Sequence, residues 1–256
     1  MGIRMGLCQL HSDADTDDNL KMMEGAIIQN KADLYVFPEL FLTGYGNTTF
    51  DPEAIVTAES RLRILCNERD AAVVFGTSMQ WYNGVTNSAL FVTPQETYRY
   101  DKLYPAVFGP YDERMYERGT SPRIVEWEGM RFGLEICYDI MFPEIHRFYA
   151  VHGCDMVVCL AASGEQSERI MRTVLPARSL ENTVYTVFCN GIGDMGDGNR
   201  MFGGSAMYSP LGEEVLSAGG GGETVAVGIA DSEVVAHARG IRHHLQDLRG
   251  DILWLP

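Results

Sequence analysis

Short apolar segments alternate with helix-like segments along the 256-residue chain, and this alternation constrains the fold more than any other feature. No proline- or serine-rich linker or charge block divides the chain. Strands that alternate with helices predict an α/β layer structure, and the length suits one domain over residues 1–256. The predicted strands include 34–37, 71–76, 89–93, 132–136, 156–161 and 184–189, and the predicted helices include 59–69, 143–152 and 166–182.

The charge balance excludes several kinds of partner. The formal net charge of −15 leaves few cations for a phosphate backbone, so neither nucleic acid nor an anionic membrane surface is expected to bind. No segment approaches the roughly 20 apolar residues that a membrane span needs. We therefore predict a cytoplasmic protein.

Neither a metal nor a cofactor is expected. The six cysteines are spread through mostly apolar segments, as buried thiols are, and no second ligand pair with zinc spacing follows His152, Cys154 and Cys159. Residues 191–196 match the dinucleotide fingerprint in letters, but a predicted loop follows them instead of the helix that would bind a pyrophosphate.

Three polar residues lie just beyond the carboxyl ends of apolar strands, where α/β proteins build their sites. They are Glu39, Lys102 and Cys137. Taken singly, Lys102 has the sequence context of a surface lysine and Cys137 that of an inert core thiol. Their shared position at strand ends favours a common site, whereas the six histidines lie in no recognisable catalytic pattern.

Three stretches, each around one of these residues, resemble the nitrilase superfamily, also called the carbon-nitrogen hydrolases. The stretches are Phe37–Tyr45, Asp101–Leu103 and Glu135–Glu144, with further matches at Ala177–Tyr185, Asn190, Gly203–Ala206, Pro210–Gly212 and Asp231. The resemblance implies a four-layer αββα sandwich, often paired into a homodimer or larger homo-oligomer. The apolar tail, residues 251–256, could pack across such an interface or against its own domain.

The resemblance also implies a catalytic triad of Glu39, Lys102 and Cys137. A free thiol has a pKa of about 8.5 and is mostly protonated at neutral pH, so Cys137 needs a base to become a nucleophile. Glu39 is the implied base, and Lys102 with the backbone N–H of Tyr138 is the implied oxyanion site. A further glutamate, the fourth residue of the implied site, is matched best by Glu113, with Glu117 as its rival.

The sequence around Cys137 resembles the amidase branch of the family, so we predict cleavage of a small, non-peptide amide through a thioester. Met141 stands where members resembling ω-amidases usually have arginine, which disfavours a dicarboxylic acid monoamide. Hydrolysis of N-carbamoyl amines or amino acids, hydrolysis of nitriles, a Cys-His thiol hydrolase and a non-catalytic binding protein remain alternatives. Candidate pocket residues are Tyr45, Phe108, Tyr111, Met141 and Phe142.

Overall fold

The computed structural model describes residues 2–47, 49–82, 84–109, 111–196 and 198–249. The tail at 251–256, for which packing at an interface or against its own domain was predicted, lies outside the described residues. No described helix is both long and apolar enough to cross a membrane.

The strands follow one another from the start of the chain to its last third. They are β1 (Gly2–Gln9), β2 (Leu34–Val36), β3 (Ala72–Trp81), β4 (Gly84–Val92), β5 (Thr97–Asp101), β6 (Val107–Phe108), β7 (Tyr111–Asp112), β8 (Tyr116–Glu117), β9 (Ile124–Trp127), β10 (Met130–Ile136), β11 (Met156–Ala161), β12 (Tyr185–Asn190), β13 (Ile192–Gly196), β14 (Asn199–Phe202), β15 (Ala206–Tyr208), β16 (Glu214–Ser217) and β17 (Thr224–Asp231).

The α-helices lie between these strands or after the last of them. They are α1 (Thr16–Gln29), α2 (Pro52–Arg69), α3 (Pro143–Val151), α4 (Glu168–Asn182) and α5 (Ser232–Ile241). Asp15 caps α1 by accepting from the Asp18 N–H. The prediction for α2 began too late: Asp51 caps a helix that starts at Pro52, and its buried residues Ile55, Ala58 and Leu62 already share one face.

Two sheets stack face to face. The first has the order β17-β1-β2-β3-β4-β5 with β8 on β4, and the second has the order β16-β15-β12-β11-β10-β9. Apolar side chains from both sheets, among them Leu34, Phe91, Phe132 and Val158, form one buried core between them. Helices α1 and α2 cover the outer face of the first sheet, and α3 and α4 cover that of the second. The layers therefore follow the predicted αββα order.

The strand directions bring the predicted site residues to one edge of this sandwich. Strands β1, β2 and β3 run parallel, and so do β10, β11 and β12. Glu39 follows β2, Lys102 follows β5 and Cys137 follows β10. The Glu39 N–H donates to the Ala161 carbonyl at the end of β11, 3.3 Å away, so the two sheets meet at the site.

The segment 191–196, which matches the dinucleotide fingerprint, is mostly strand β13. Ile192–Gly196 pairs antiparallel with Asn199–Phe202 in a separate two-stranded sheet. The loop expected after residue 196 is therefore the turn of a hairpin between β13 and β14. Because this hairpin opens no helix at its last glycine, the geometry that a bound pyrophosphate requires is not formed there.

Candidate active site

Glu39 is held in a tight turn against strand β3. The backbone after Pro38 passes so close to Gly76 that a Cβ there would lie 2.2 Å from the Leu40 nitrogen, so the site requires glycine at this position. The Gly76 N–H donates to the Pro38 carbonyl at 3.1 Å, which fixes the turn. Glu39 is only 2% exposed.

Three donors hold the Glu39 carboxylate. Oε1 accepts from Asn87 Nδ2 and from Lys102 Nζ, each at 2.7 Å, and Oε2 accepts from the Ala162 N–H at 2.9 Å. Oε2 retains a free lone-pair direction, because each carboxylate oxygen can accept two hydrogen bonds. The carboxylate is thus fixed in place and can still take a proton.

Lys102 lies between two buried carboxylates. Its ammonium is 2.7 Å from Glu39 and 2.8 Å from Glu113, and the side chains of all three are at most 4% exposed. Burial alone lowers the pKa of Lys102, but the charges of Glu39 and Glu113 outweigh it, and the pKa lies well above its ordinary value. Lys102 is therefore a permanent cation in this site.

Glu113 is the second glutamate of the cluster. Besides Lys102, it accepts from the Ala106 N–H at 2.6 Å. Burial raises its pKa to about 7, against the opposing effect of Lys102. The rival Glu117 is exposed, and Arg114, a possible structural partner for either, pairs with Asp112 instead. The structure thus brings Glu113 to the lysine and leaves Glu117 outside.

Cys137 occupies a strained turn at the end of β10. Its φ of +47° lies in the left-handed region, which costs a non-glycine residue about 1–2 kcal/mol. The buried Asp139 carboxylate stabilises the turn by accepting from the Ile136 N–H at 3.0 Å, the Tyr104 N–H at 2.9 Å and the Tyr100 hydroxyl at 2.7 Å. Burial raises the pKa of Asp139 to about 7.

Arg178 supports the same turn from helix α4. Its Nε donates to the Ile140 carbonyl at 2.9 Å and its Nη2 to the Met141 carbonyl at 3.2 Å. Tyr138 lies at the start of this 3-10 turn, over Cys137–Met141, where backbone N–H groups have no acceptor within the helix. The Tyr138 N–H is therefore suited to receive an oxyanion.

The Cys137 thiol is buried beside these charges. Burial raises its pKa well above the ordinary value, the charge of Glu39 adds to the rise, and Lys102 opposes it. Sγ lies 3.3 Å from the Ser163 hydroxyl oxygen. The thiol is therefore protonated at neutral pH, and attack by sulfur requires a base in the site.

The pocket candidates lie at different distances from this centre. Tyr45 is partly buried, and its pKa is raised first by burial and then by the charge of Glu39. The Phe108 ring centroid is 5.4 Å from that of Tyr111 and 4.8 Å from that of Tyr138. The Tyr111 hydroxyl accepts from the Gly164 N–H at 2.8 Å. These aromatic residues are thus close to the nucleophile turn.

The other two candidates lie farther along that turn. Phe142 stacks on Tyr104 with centroids 3.6 Å apart and meets the edge of Tyr138 at 5.1 Å. The Met141 side chain packs against the core between the sheets. Phe142 therefore extends the aromatic surface, whereas the surroundings of Met141 are those of a core residue.

No described histidine contacts the Cys137 thiol. The buried His146 ring uses Nδ1 with Glu135, at 3.0 Å, and Nε2 with the Thr186 hydroxyl, at 3.1 Å. Both ring nitrogens therefore have partners away from the sulfur. This arrangement counts against a Cys-His thiol hydrolase, which requires an imidazole beside the nucleophile.

Sequence reasoning missed two residues that contact the triad. Asn87 lies inside β4 and donates to Glu39, and Ser163 follows β11 and touches Cys137. The rule that placed Glu39 and Cys137 beyond strand ends could have found Ser163 in the same way. Asn87 carries no such signal, because buried amides on strands have no distinctive sequence pattern.

Comparison with known proteins agrees with this geometry. The family model for carbon-nitrogen hydrolases matches residues 4–239. This chain belongs to the carbon-nitrogen hydrolase family. An (R)-stereoselective amidase from a Pseudomonas species is 32% identical over 217 residues, covering 81% of this chain and 77% of that protein. Omega-amidase YafV of Yersinia enterocolitica is 31% identical over 186 residues, covering 71% and 70%.

Solved structures share the fold of this carbon-nitrogen hydrolase. A superfamily protein from Xanthomonas campestris matches with a TM-score of 0.86 at 24% identity, covering 98% of both chains. An amidase from Nesterenkonia has a TM-score of 0.81 at 26% identity, covering 96% of both chains. A variant of the Nesterenkonia amidase carries the acetamide moiety of fluoroacetamide covalently on its active-site cysteine. It matches with a TM-score of 0.83 at 25% identity, covering 100% of this chain and 97% of that one. The predicted superfamily and its sandwich fold are confirmed.

The raised pKa of Glu113 predicts a pH-dependent stability for this hydrolase. Its folded-state pKa of about 7 exceeds the ordinary value of 4.5, so the folded protein binds a proton that the unfolded chain has lost between those values. Glu113 should therefore make the free energy of unfolding fall as the pH rises through this window, by on the order of 1 kcal/mol per pH unit at most. Asp139, whose pKa burial also raises to about 7, adds a fall of the same sign. Glu113→Gln should remove the contribution of Glu113 and leave that of Asp139, measured by urea unfolding at several pH values. The exposed Glu117→Gln should retain the wild-type slope, and equal slopes for all three proteins would contradict the assignment.

Proposed function

We propose that this carbon-nitrogen hydrolase, as one domain of residues 1–256, cleaves small non-peptide amides through a thioester on Cys137. The observation that carries the proposal is the buried Lys102 ammonium shared between Glu39 and Glu113, with the Cys137 thiol within the field of all three charges. The names of the amidase relatives and the covalent adduct on the Nesterenkonia cysteine, which shows a reactive sulfur, support the same chemistry.

In the first half-reaction, Glu39 takes the proton of Cys137 as the sulfur attacks the amide carbon. The carbonyl oxygen becomes an oxyanion, which the Lys102 ammonium and the Tyr138 N–H stabilise. A donor of this kind typically contributes about 3 kcal/mol to the transition state. The protonated Glu39 then gives its proton to the departing nitrogen, and ammonia or an amine leaves as the C–N bond breaks.

In the second half-reaction, Glu39 takes a proton from water, and the resulting hydroxyl attacks the thioester carbon. The C–S bond breaks, the sulfur regains its proton from Glu39, and the carboxylic acid leaves. Glu39 thus acts as base and acid in turn, which the fixed position of its carboxylate and the free lone pair on Oε2 support. Glu113 orients Lys102 and is proposed to receive the N–H groups of the amide.

The acyl group is proposed to be neutral and apolar. Tyr45, Phe108 and Tyr111 lie beside the nucleophile turn, and Phe108 keeps 47% of its surface exposed for contact with a ligand. The cation of the site, Lys102, already contacts two carboxylates, so a third carboxylate on the substrate would be repelled. This charge balance disfavours dicarboxylic acid monoamides.

A substrate panel tests the proposal. Ammonia release and intact-protein mass spectrometry would be followed with alkyl and aryl amides, a dicarboxylic acid monoamide, an N-carbamoyl amino acid and a nitrile. We expect neutral amides to be cleaved and to leave an acyl mass on the protein, with kcat/KM at least about 10-fold above the other classes. Turnover of the carbamoyl compound or the nitrile in preference to every amide would overturn the assignment.

We also propose that the enzyme is cytoplasmic and assembles as a homodimer or larger homo-oligomer. The outer helices of the second sheet expose apolar side chains at Val151, Ile170 and Leu180, which supports an interface on that layer. The high acidic charge supports a freely soluble enzyme that binds neither nucleic acid nor membrane.

A further inference from the structure

A buried hydrogen-bond chain ends on the nucleophile. The Ser163 hydroxyl oxygen is 3.3 Å from Cys137 Sγ, and Ser163 is only 1% exposed. One side chain holds the Ser163 backbone from both sides: Asn190 Oδ1 accepts from the Ser163 N–H at 2.8 Å, and Asn190 Nδ2 donates to the Ser163 carbonyl at 3.1 Å. Ser163 is therefore fixed by its backbone, which leaves its hydroxyl free to serve the sulfur.

The chain continues from Asn190 to the first strand. The Asn190 N–H donates to the Ser205 hydroxyl at 3.0 Å, and the Ser205 N–H donates to Gln9 Oε1 at 2.9 Å. Gln9 Nε2 in turn donates to the Gly219 and Gly222 carbonyls, at 3.1 and 3.0 Å. Gln9, Asn190 and Ser205 are fully buried. Such a satisfied polar network has little freedom to move, so it fixes the position of Ser163.

We propose that Ser163 is a further catalytic residue, whose hydroxyl donates a hydrogen bond to the Cys137 sulfur as negative charge develops there. This rests on the proposed function of Cys137 as nucleophile. A thiol is a weak acceptor, but a thiolate accepts a charge-assisted hydrogen bond, which is about twice as strong as a neutral one. Ser163 therefore stabilises the sulfur more after Glu39 has removed its proton than before.

The contact between Ser163 and Cys137 favours the thiolate, as stabilisation of a developing negative charge requires. Although burial dominates and raises the pKa of the Cys137 thiol, the hydrogen bond from Ser163 acts in the opposite direction. Lys102 acts in that direction as well, but it is already shared between Glu39 and Glu113. The Ser163 hydroxyl is a neutral donor to the Cys137 sulfur. It therefore adds stabilisation of the thiolate to that from Lys102, whose charge is shared with Glu39 and Glu113.

Ser163→Ala tests this role without disturbing the backbone, because Asn190 binds only the main chain of residue 163. We expect kcat/KM for a neutral amide to fall roughly 10- to 100-fold, the size of a lost hydrogen bond to a charged group. The rate of Cys137 alkylation by iodoacetamide, followed by peptide mass spectrometry between about pH 7 and 10, should fall by a similar factor because less thiolate forms. Ser163→Thr, which keeps the hydroxyl, should recover most of both rates.

Ser179→Ala is the matched control. Ser179 is a fully buried serine on α4 whose hydroxyl donates to the Tyr208 carbonyl. Removal of that hydroxyl should leave the rate of Cys137 alkylation unchanged. If Ser163→Ala does not fold, Ser163→Gly supplies the same test. Wild-type rates of alkylation and turnover in a folded Ser163 variant lacking the hydroxyl would overturn the proposal. If Cys137→Ala still turns over amides while Ser163→Ala slows alkylation, the nucleophile assignment fails and the contact between Ser163 and the sulfur stands.

Discussion

Lys102→Met is expected to reduce amide turnover by at least about 10³-fold and to destabilise the protein by roughly 3–5 kcal/mol. The activity falls because the oxyanion loses its cationic donor. The stability falls because Glu39 and Glu113, both buried, would share a site without the ammonium that lies between them. Urea unfolding at neutral pH and steady-state kinetics with a neutral amide measure the two effects.

A double variant separates the two effects. Lys102→Met with Glu113→Gln removes one positive and one negative charge, so it should recover part of the lost stability and none of the lost turnover. The matched control is Lys21→Met, which breaks an exposed pair with Asp18 at 2.7 Å and should cost less than about 1 kcal/mol. Near-wild-type turnover of Lys102→Met would show that the oxyanion has other sufficient donors.

Cys137→Ala is expected to abolish turnover and the acyl adduct, with a loss on the order of 10⁵-fold or more in kcat. The fold should survive, because alanine keeps the Cβ that the left-handed backbone already accommodates and removes one buried sulfur. Intact-protein mass spectrometry during incubation with an amide, beside an ammonia assay, gives both readouts.

The control for this variant is another buried thiol. Cys66 lies on α2, within the core cluster between the first sheet and its helices, and Cys66→Ala should retain both the adduct and turnover. An acyl mass that persists in Cys137→Ala, or is lost in Cys66→Ala alone, would refute Cys137 as the nucleophile. Because all six cysteines are free and buried, burial by itself does not distinguish them.

The sequence pattern predicted the α/β class and the strand-end positions of three site residues for a physical reason, whereas the αββα order was implied by the resemblance to the nitrilase superfamily. Buried parallel strands are nearly continuous apolar runs, so their ends are visible, and polar residues just beyond them meet at one edge of the sheet. Glu39 and Cys137 satisfy this rule directly. The start of helix α2 was predicted too late although the sequence marks it twice, by Asp51 and Pro52 at the cap and by Ile55 and Ala58 on the buried face.

The choice of the second site glutamate required the tertiary structure. Glu113 and Glu117 lie four positions apart in a segment of short strands, where no periodicity separates inward from outward side chains. The backbone after Lys102 folds so that Glu113 meets the ammonium and Glu117 stays exposed. The contacts that decide this join Glu113 to Lys102 and Ala106 within one irregular segment, where the path of the backbone follows no regular period.

By itself, the sequence determined the alternation of the main strands and helices, though not helix α5, the absence of a catalytic histidine pattern and the strand-end positions of Glu39, Lys102 and Cys137. Only the tertiary structure revealed the Asn87 contact with Glu39, the two partners of His146 and the Ser163 hydroxyl beside the nucleophile. The reason is physical: hydrophobic periodicity is written along the chain, whereas hydrogen bonds between buried side chains depend on how two sheets and their loops meet in space.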